Sequence, residues 1–456
     1  DEIQAEFTNL DVKDIKVIDP CMGSGHILVY AFDVLMQIYV ASGYSQRDAA
    51  QSILENNLFG LDIDDRAAQL AYFAVMMKAR QYDRRIFSRG IQPHVYAIVE
   101  SNGLDSSSVE YFTNNDPQLK KDFGTLIDEL RDAKEYGSIL NISQVDFASL
   151  YARVEKVRAD ISMFRESVLN SFLPLIQVAE VMAKKYDVVV TNPPYMAVSN
   201  AGAKVNDYVK KNFPDSKSDM FAVFIERCGQ MAKKNGYQAM ITQHAWMFLS
   251  SFEKLRTKLL AVDIVNMAHL GARAFEEIGG EVVQTTAFVR CANRVDGYKG
   301  TYCRLIEPTS QQGKEDMFLD GENHYMVEQQ KFTRIPGEPV AYWLSSAFMK
   351  LFEGTKVSDL GETREGLSPA DNDRFLRLWP EVASEKWNEK WFPYTKGGNY
   401  RKWYGNNDYM VNWENDGLEI KNNIDKATGR IRSHNYNGEY ALKEGFTWTA
   451  ISTSVT

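Results

Sequence analysis

The feature that most constrains this chain is a short apolar run that breaks off into a glycine turn. Ile15–Asp19 reads Ile-Lys-Val-Ile-Asp, then come Pro20-Cys21-Met22-Gly23-Ser24-Gly25, and then an apolar-faced segment from His26 to Ala41. An apolar run of this length, bounded by Pro and Gly, fits a strand buried on both faces of a parallel sheet. The segment after the turn reads as a helix. The same alternation recurs. Strands are expected at Leu58–Ile63, Val95–Val99, Val188–Thr191, Tyr237–Thr242 and Ile264–Leu270, with two closing β-rich runs at Val282–Cys291 and Thr301–Ile306. Helices are expected at about Ser45–Glu55, Asp65–Gln81, Met220–Lys233 and Phe252–Leu260. Alternating strands and helices predict a doubly wound α/β sheet.

Two stretches interrupt the alternation. Residues 101–186 are too long for a simple crossover and are read as an insertion. Its first half, with Ser106-Ser107-Ser108 and Asn114-Asn115-Asp116-Pro117, reads as loop; its second half, Val145–Lys185, has helical periodicity. Residues 308–337 carry Pro308-Thr309-Ser310-Gln311-Gln312-Gly313 and Ile335-Pro336-Gly337 and read as a linker. The predicted division is therefore 1–307, a linker at 308–337, and 338–456, where short β-like segments rich in Gly, Asn and aromatics take over.

Composition narrows the class. Of 456 residues 44% are hydrophobic and 25% charged, which fits a multidomain globular protein and not a disordered or fibrous one. The longest apolar stretch, Ile27–Ala41, is too short and too polar to span a bilayer, and no secretory leader pattern opens the sequence. Four cysteines without a C-x-x-C pair suit free thiols in a bacterial cytoplasm and give no zinc site; no metal is expected. The net charge of −9 argues mildly against a polyanionic partner. It is unevenly spread: from Lys331 onward 17 Lys and Arg balance 17 Asp and Glu, and six of eight tryptophans lie at or beyond Trp379.

The glycine turn is placed where α/β sheets bind ligands. Asp19, Pro20, Cys21, Gly23, Ser24 and Gly25 surround it, and the following helix offers free N–H groups. At the end of the next strand Asp62, with Ile63 beside it, can accept both hydroxyls of a ribose. The spacing is Gly-Ser-Gly and not G-x-G-x-x-G, so a nucleoside with a compact zwitterionic tail fits better than a pyrophosphate. S-adenosylmethionine has that form. A turn that needs glycine for geometry alone is the competing reading.

The strand Val188–Thr191 ends in Asn192-Pro193-Pro194-Tyr195. Two prolines stiffen the turn and remove two backbone donors. The Asn192 side-chain oxygen and the Pro193 carbonyl remain as acceptors for the two hydrogens of a planar NH2 group. Held that way, the amine's lone pair leaves conjugation and can attack an electrophile. Tyr195 can stack on the ring that bears the amine. The competing reading is a rigid surface turn.

Together, Asp-Pro-x-x-Gly-Ser-Gly, the Asp after the second strand and Asn-Pro-Pro-Tyr after the fourth resemble the amino-group DNA methyltransferases. Their order is similar to the gamma class of N6-adenine enzymes, and closest to the PglX-type adenine methyltransferases of BREX phage-defence systems. The likeness runs through Val17–Leu28, Leu58–Ala71, Val188–Met196, Ser218–Phe248, Gly279–Val289, Arg364–Val382 and Lys390–Gly417. It implies a Rossmann-like class I methyltransferase sheet with a helical insertion, followed by the start of an α+β or β-rich recognition region. It implies S-adenosylmethionine as cofactor, with Asp19, Pro20, Gly23 and Gly25 at the methionine end, Asp62 on the ribose and Ile63 on the adenine. The third-strand acid is replaced by Glu100-Ser101-Asn102, so Glu100 or Asn102 takes that place. Asn192, Pro193, Pro194 and Tyr195 would hold the target adenine; Asp219, Met220 and Phe221 match a helix motif that lines the cofactor pocket. Phe275 is the candidate for a second aromatic on the extruded base.

The stretch Lys386–Trp413 interleaves basic and aromatic residues, as a nucleic-acid surface does. Lys396, Arg401, Lys402 and Trp403 are its candidate DNA contacts, an aromatic β core being the alternative. Double-stranded DNA is the expected partner, together with other phage-defence proteins. The resemblance also implies that Trp448–Thr453 leads into further recognition sequence. The rival functions are a methylase joined to a nuclease, an enzyme acting on protein glutamine or ribosomal RNA guanine, and a DNA-binding subunit that has lost catalysis.

Overall fold

In the computed structural model, residues 10–275, 283–398, 401 and 404–447 are described. Contacts divide the chain into two units, up to Glu353 and from Gly354. In the first unit the strands are β1 (Val17–Asp19), β2 (Leu58–Asp62), β3 (His94–Ala97), β4 (Tyr186–Thr191), β5 (Ala232–Gln243), β6 (Asp263–Gly271), β7 (Thr285–Cys291), β8 (Lys299–Arg304) and β9 (His324–Glu328). They form one sheet in the order β3-β2-β1-β4-β5-β7-β6-β8-β9. β1 pairs in parallel with both β2 and β4, and β4 in parallel with β5, whereas β7 runs antiparallel between β5 and β6.

The chain leaves β1 outward to β2 and β3, then comes back to β4 on the other side of β1. That reversal opens a crevice at the C-terminal ends of β1 and β4. Both strands are apolar because both of their faces are covered: Ile18 and Val189 are fully buried. Helices α1 (His26–Ala41) and α2 (Asp65–Tyr82) cover one face through Leu28, Phe32, Ala71 and Val75. Asp64 caps α2, its Oδ1 accepting from the amides of Arg66 at 2.7 Å and Ala67 at 3.0 Å.

The insertion differs from its sequence reading. Its first half is not loop but two helices, α3 (Ser106–Thr113) and α4 (Pro117–Glu129). The polar residues that suggest loop are caps. Asp105 accepts from the Ser108 amide at 2.8 Å, and Asp116 accepts from Gln118 at 2.9 Å with Pro117 opening the helix. The apolar stripe Leu119, Phe123, Leu126 is fully or almost fully buried, and Phe123 stacks obliquely against Phe172 at 4.9 Å. α5 (Phe147–Ala159) and α6 (Leu173–Ala183) follow, as the periodicity of the second half predicts. These helices and α7 (Met220–Met231) share the larger core on the other face of the sheet.

The linker expected at 308–337 is also corrected. Ser310 caps a helix, Gln311–Leu319, by accepting from the Gly313 amide at 3.1 Å, and β9 adds to the sheet antiparallel to β8. Lys314 is buried and donates to the carbonyls of Leu270 at 2.7 Å and Leu305 at 2.6 Å, tying this segment to the ends of β6 and β8. Capping residues and linker residues are the same types, which is why composition alone misplaces the boundary.

The second unit holds an antiparallel sheet of β10 (Leu376–Leu378), β12 (Tyr409–Asn412) and β11 (Trp391–Tyr394), in that order, around Phe375, Val411, Trp413 and Ile420. Among the described residues no helix is long and apolar enough to cross a membrane.

Candidate functional site

At the end of β1, Asp19 is buried. Its Oδ1 accepts from the Cys21 amide at 3.0 Å and from the Thr191 hydroxyl at 2.7 Å, which joins the ends of β1 and β4. Its Oδ2 is buried, with no hydrogen-bond partner among the described residues. Burial pushes the Asp19 carboxyl up to about 7, against the two hydrogen bonds that favour its anion. An orphaned carboxylate oxygen at a ligand crevice is an acceptor waiting for a donor.

The glycine turn is fixed from two sides. Gly23 donates to Asp62 Oδ2 at 2.8 Å, and Met22 donates to the Leu61 carbonyl at 3.0 Å, so the loop is pinned to the end of β2. Gly25 has φ +85°, and a Cβ there would lie 2.9 Å from Ala71 Cα; only glycine lets α1 approach α2 so closely. At Gly23 a Cβ would meet no atom of the described residues within 4 Å. Gly25 supplies no side-chain cap, which leaves the first amides of α1 available to an anion.

Asp62 also accepts from the Asp64 amide at 2.9 Å, so each of its oxygens holds one internal bond and keeps a lone pair. Ile63 is 45% exposed beside it and can lie against a planar ring. Ser24 bonds His26 Nδ1 at 2.8 Å. Of the two third-strand candidates, Asn102 is engaged: its amide donates to Asp132 Oδ1 at 2.7 Å and accepts from the Asp132 backbone at 2.7 Å. It closes the insertion onto the end of β3, at the edge of a cavity of 730 Å³. Glu100 is half-buried, with no hydrogen-bond partner among the described residues.

Sequence reasoning misses one brace of the glycine turn. Ser138, from the insertion, is buried and donates to the Pro20 carbonyl at 2.6 Å, while Cys21 Sγ lies 3.9 Å from its hydroxyl. Arg227 of α7, also buried, holds the Ser138 carbonyl at 3.2 Å. Ser138 sits 118 residues from Pro20 in an unremarkable stretch, so no sequence pattern marks it.

Asn192, Pro193, Pro194 and Tyr195 follow β4 at the same rim. Asn192 is exposed, and the Tyr195 hydroxyl donates to its Oδ1 at 2.8 Å with the Ile241 carbonyl at 3.1 Å as a second acceptor. Burial raises the Tyr195 phenol well above its usual range, so it stays a donor. Its ring is half-buried and meets Phe221 edge-on at 6.4 Å. The loop is strapped to the start of α7: Met220 donates to the Met196 carbonyl at 2.9 Å, and Asp219 caps that helix by accepting from Phe221 at 3.2 Å. Asp219 is itself raised by burial.

The residues expected in one site are thus brought to one rim, apart from two groups. Phe275 is half-buried just beyond β6, in front of residues outside the described set. The basic-aromatic residues belong to the second unit. There Lys396 lies over the Tyr409 ring at 4.7 Å and Arg401 is exposed, whereas Trp413, Tyr394 and Tyr409 serve the small core. Tyr400, Lys402, Trp403 and Trp448–Thr453 lie outside the described residues. Among the described residues no group of His, Cys, Asp and Glu is arranged to hold a metal.

A sheet ordered β3-β2-β1-β4-β5-β7-β6, in which β7 runs antiparallel between β5 and β6 and an acid and a glycine turn follow β1, is the class I methyltransferase fold. The comparisons carry this further. The Eco57I restriction-modification methylase family matches residues 56–275, and the DNA-methyltransferase domain of MmeI matches residues 4–102. The adenine-specific methyltransferase PglX of Lacticaseibacillus casei is 43% identical over the whole chain, and the adenine-specific methyltransferase BrxX of Escherichia coli is 41% identical over 99% of it. A putative type II restriction enzyme and methyltransferase of Methanocaldococcus jannaschii is 21% identical over 86% of the chain and 39% of its own length. Over its own length the chain is similar to the PglX-type adenine-specific methyltransferases. It spans 40% of the length of the PglX and BrxX relatives.

Proposed function

We propose that this protein transfers a methyl group from S-adenosylmethionine to the N6 amine of an adenine in double-stranded DNA, in the bacterial cytoplasm, as part of a BREX phage-defence system. The observation that carries the reading is the Asn192–Tyr195 turn, held open at the rim that Asp19, Gly23 and Asp62 also line.

The pocket fits the cofactor. The unpartnered Asp19 Oδ2 would accept from its ammonium group, and the free first amides of α1 would take its carboxylate. The spare lone pairs of Asp62 suit two ribose hydroxyls, and Ile63 would flank the adenine ring. Glu100, rather than the engaged Asn102, is the better acceptor for the adenine amino group. When bound, the cofactor supplies an electrophilic methyl group on a cationic sulfur.

The chain's own residues then bind and orient the acceptor. A base inside a duplex cannot reach this crevice, so it must be extruded. Asn192 Oδ1 and the Pro193 carbonyl would accept the two N6 hydrogens and turn the lone pair out of the ring plane. The Tyr195 hydroxyl fixes the Asn192 amide with its oxygen toward the amine, and its ring flanks the base. Catalysis on this reading is positioning and polarisation. In the second unit Lys396 and Arg401, with Lys402 and Trp403, would contact the duplex. Phe275 would close on the extruded base. The names of the relatives favour adenine over glutamine or guanine. The Eco57I match favours a restriction-modification role as the second reading.

The test is to incubate the full-length protein with labelled S-adenosylmethionine and unmethylated plasmid, and to map modified bases by long-read sequencing. N6-methyladenine at a defined sequence with intact plasmid is expected. Cleaved plasmid would favour the restriction reading, and cofactor binding without any N6-methyladenine would overturn the proposal.

A further inference from the structure

Beyond Asn192–Tyr195, the same rim carries a hydrogen-bonded chain that no motif predicts. His244 follows β5 immediately, three residues past the Ile241 carbonyl that Tyr195 reaches. Its Nδ1 lies 2.8 Å from Nε2 of His269, near the end of β6, and His269 Nδ1 lies 3.1 Å from the Tyr342 hydroxyl. His269 and Tyr342 are buried, while His244 is half-buried and edge-on to Phe248.

The direction of the protons can be deduced. Among the described residues the Tyr342 oxygen has no hydrogen-bond partner except His269. A buried O–H that points at nothing is costly, so Tyr342 donates to His269 Nδ1. His269 then carries its proton on Nε2 and donates to His244 Nδ1. That leaves the His244 proton on Nε2, the opposite edge of the ring. The reverse polarity makes the same two bonds but strands the Tyr342 hydrogen. Burial keeps both imidazoles neutral: it lowers His244, and it lowers His269 to about 3 with help from His244, Arg304 and Lys314. A neutral pair keeps a single proton between the rings.

His269 lies across β7 from His244, on the side away from β4. The Nε2–H edge of His244 is therefore the one away from His269, on a residue three positions past the Ile241 carbonyl that Tyr195 of the Asn192–Tyr195 turn reaches. Among the described residues this nitrogen has no hydrogen-bond partner. We propose that His244 donates from Nε2 to an acceptor on the nucleotide held at that turn, and that His269 and Tyr342 are positioning residues that fix the proton there. The acceptor is a ring nitrogen of the extruded base or an oxygen of its phosphate. The inference rests on the DNA-methylation reading.

The test uses the full-length protein and the duplex sequence mapped above. His244→Asn keeps an amide at the Nδ1 position but has no donor at the Nε2 position; His244→Gln reaches the Nε2 position. Tyr342→Phe keeps the ring and removes the hydrogen that sets the polarity. Asn at 244 should lower kcat/KM for duplex about 10- to 100-fold, in the range of one positioned hydrogen bond in a transition state. Gln should restore most of that loss, and Phe at 342 should fall between. Cofactor Kd and Tm should stay near those of the parent protein. Duplexes with 1-deaza-, 3-deaza- or 7-deazaadenine, or a methylphosphonate, at the target separate the two acceptors: the change that removes the acceptor should slow the parent to the rate of H244N. Overturning results are H244N within twofold of the parent, H244Q as impaired as H244N, or parallel loss of cofactor binding. If the parent binds duplex but transfers no methyl group to adenine, the methylation reading fails. The same variants compared by duplex Kd then still decide the contact.

Discussion

The two sheets of this protein use polar and aromatic side chains in opposite ways. In the nine-stranded sheet, groups with reactive potential are held by specific hydrogen bonds: Asp19 by Cys21 and Thr191, Gly23 by Asp62, Asn192 by Tyr195. In the three-stranded sheet the conspicuous aromatics make the core, and the cations ride on rings at the surface, as Lys396 does on Tyr409 and Arg377 on Trp391 at 5.7 Å. Motif residues in the first sheet are costly to place and so carry information about chemistry. Aromatic and basic residues in the second are needed for packing and solubility whatever the unit binds, so they carry less.

The largest expected effect tests the first sheet. Asn192→Ala should cut methyl transfer by about 10²–10³-fold, the scale for removing one positioned polar group. Cofactor affinity should change less than threefold by titration calorimetry. Equal loss of both would make Asn192 a structural residue and erase the contrast.

Next comes the pair Gly25→Ala and Gly23→Ala. Both positions have positive φ, but only at Gly25 does a Cβ run into Ala71. Chemical denaturation should give about 2–4 kcal/mol of destabilisation at Gly25 and about 1–2 kcal/mol at Gly23. Equal costs would mean that helix approach does not constrain the turn.

A pH titration comes third. Asp19 is raised to about 7 in the folded chain, above its unfolded value. The folded state therefore binds the proton more tightly, and stability falls as pH rises from about 4 to about 7. A cationic ligand group needs the ionised form. S-adenosylmethionine affinity should thus rise about tenfold between pH 6 and pH 8. Asp19→Asn should bind weakly without that slope; a slope unchanged in the variant would assign it to another group.

The smallest effect tests the second sheet. Lys396→Ala and Arg401→Ala should each weaken duplex binding a few-fold and reduce the slope of log Kd against log salt by about one. An unchanged slope would leave that surface to packing and solubility alone.

Much of the fold is legible in the sequence because its signals are local. The strand-turn-helix at Ile15–Ala41 and the Asn-Pro-Pro-Tyr turn each lie within one short stretch, where residue type dictates backbone geometry. The misreadings are also local in origin. Asp105, Asp116 and Ser310 cap helices, yet the same residues mark loops, and only the buried Leu119, Phe123 and Leu126 decide between the two.

The sequence by itself determined the doubly wound α/β class, the acid and glycine turn after the first strand and the acceptor-rich turn after β4. Each follows from steric limits on a few adjacent residues. Only the tertiary structure decided that Ser138 and Arg227 brace the glycine turn, that Asn102 closes the insertion, and that His244, His269 and Tyr342 form one chain. These groups are far apart in sequence, and it is the burial of the helices and strands between them that brings their polar atoms within hydrogen-bonding distance.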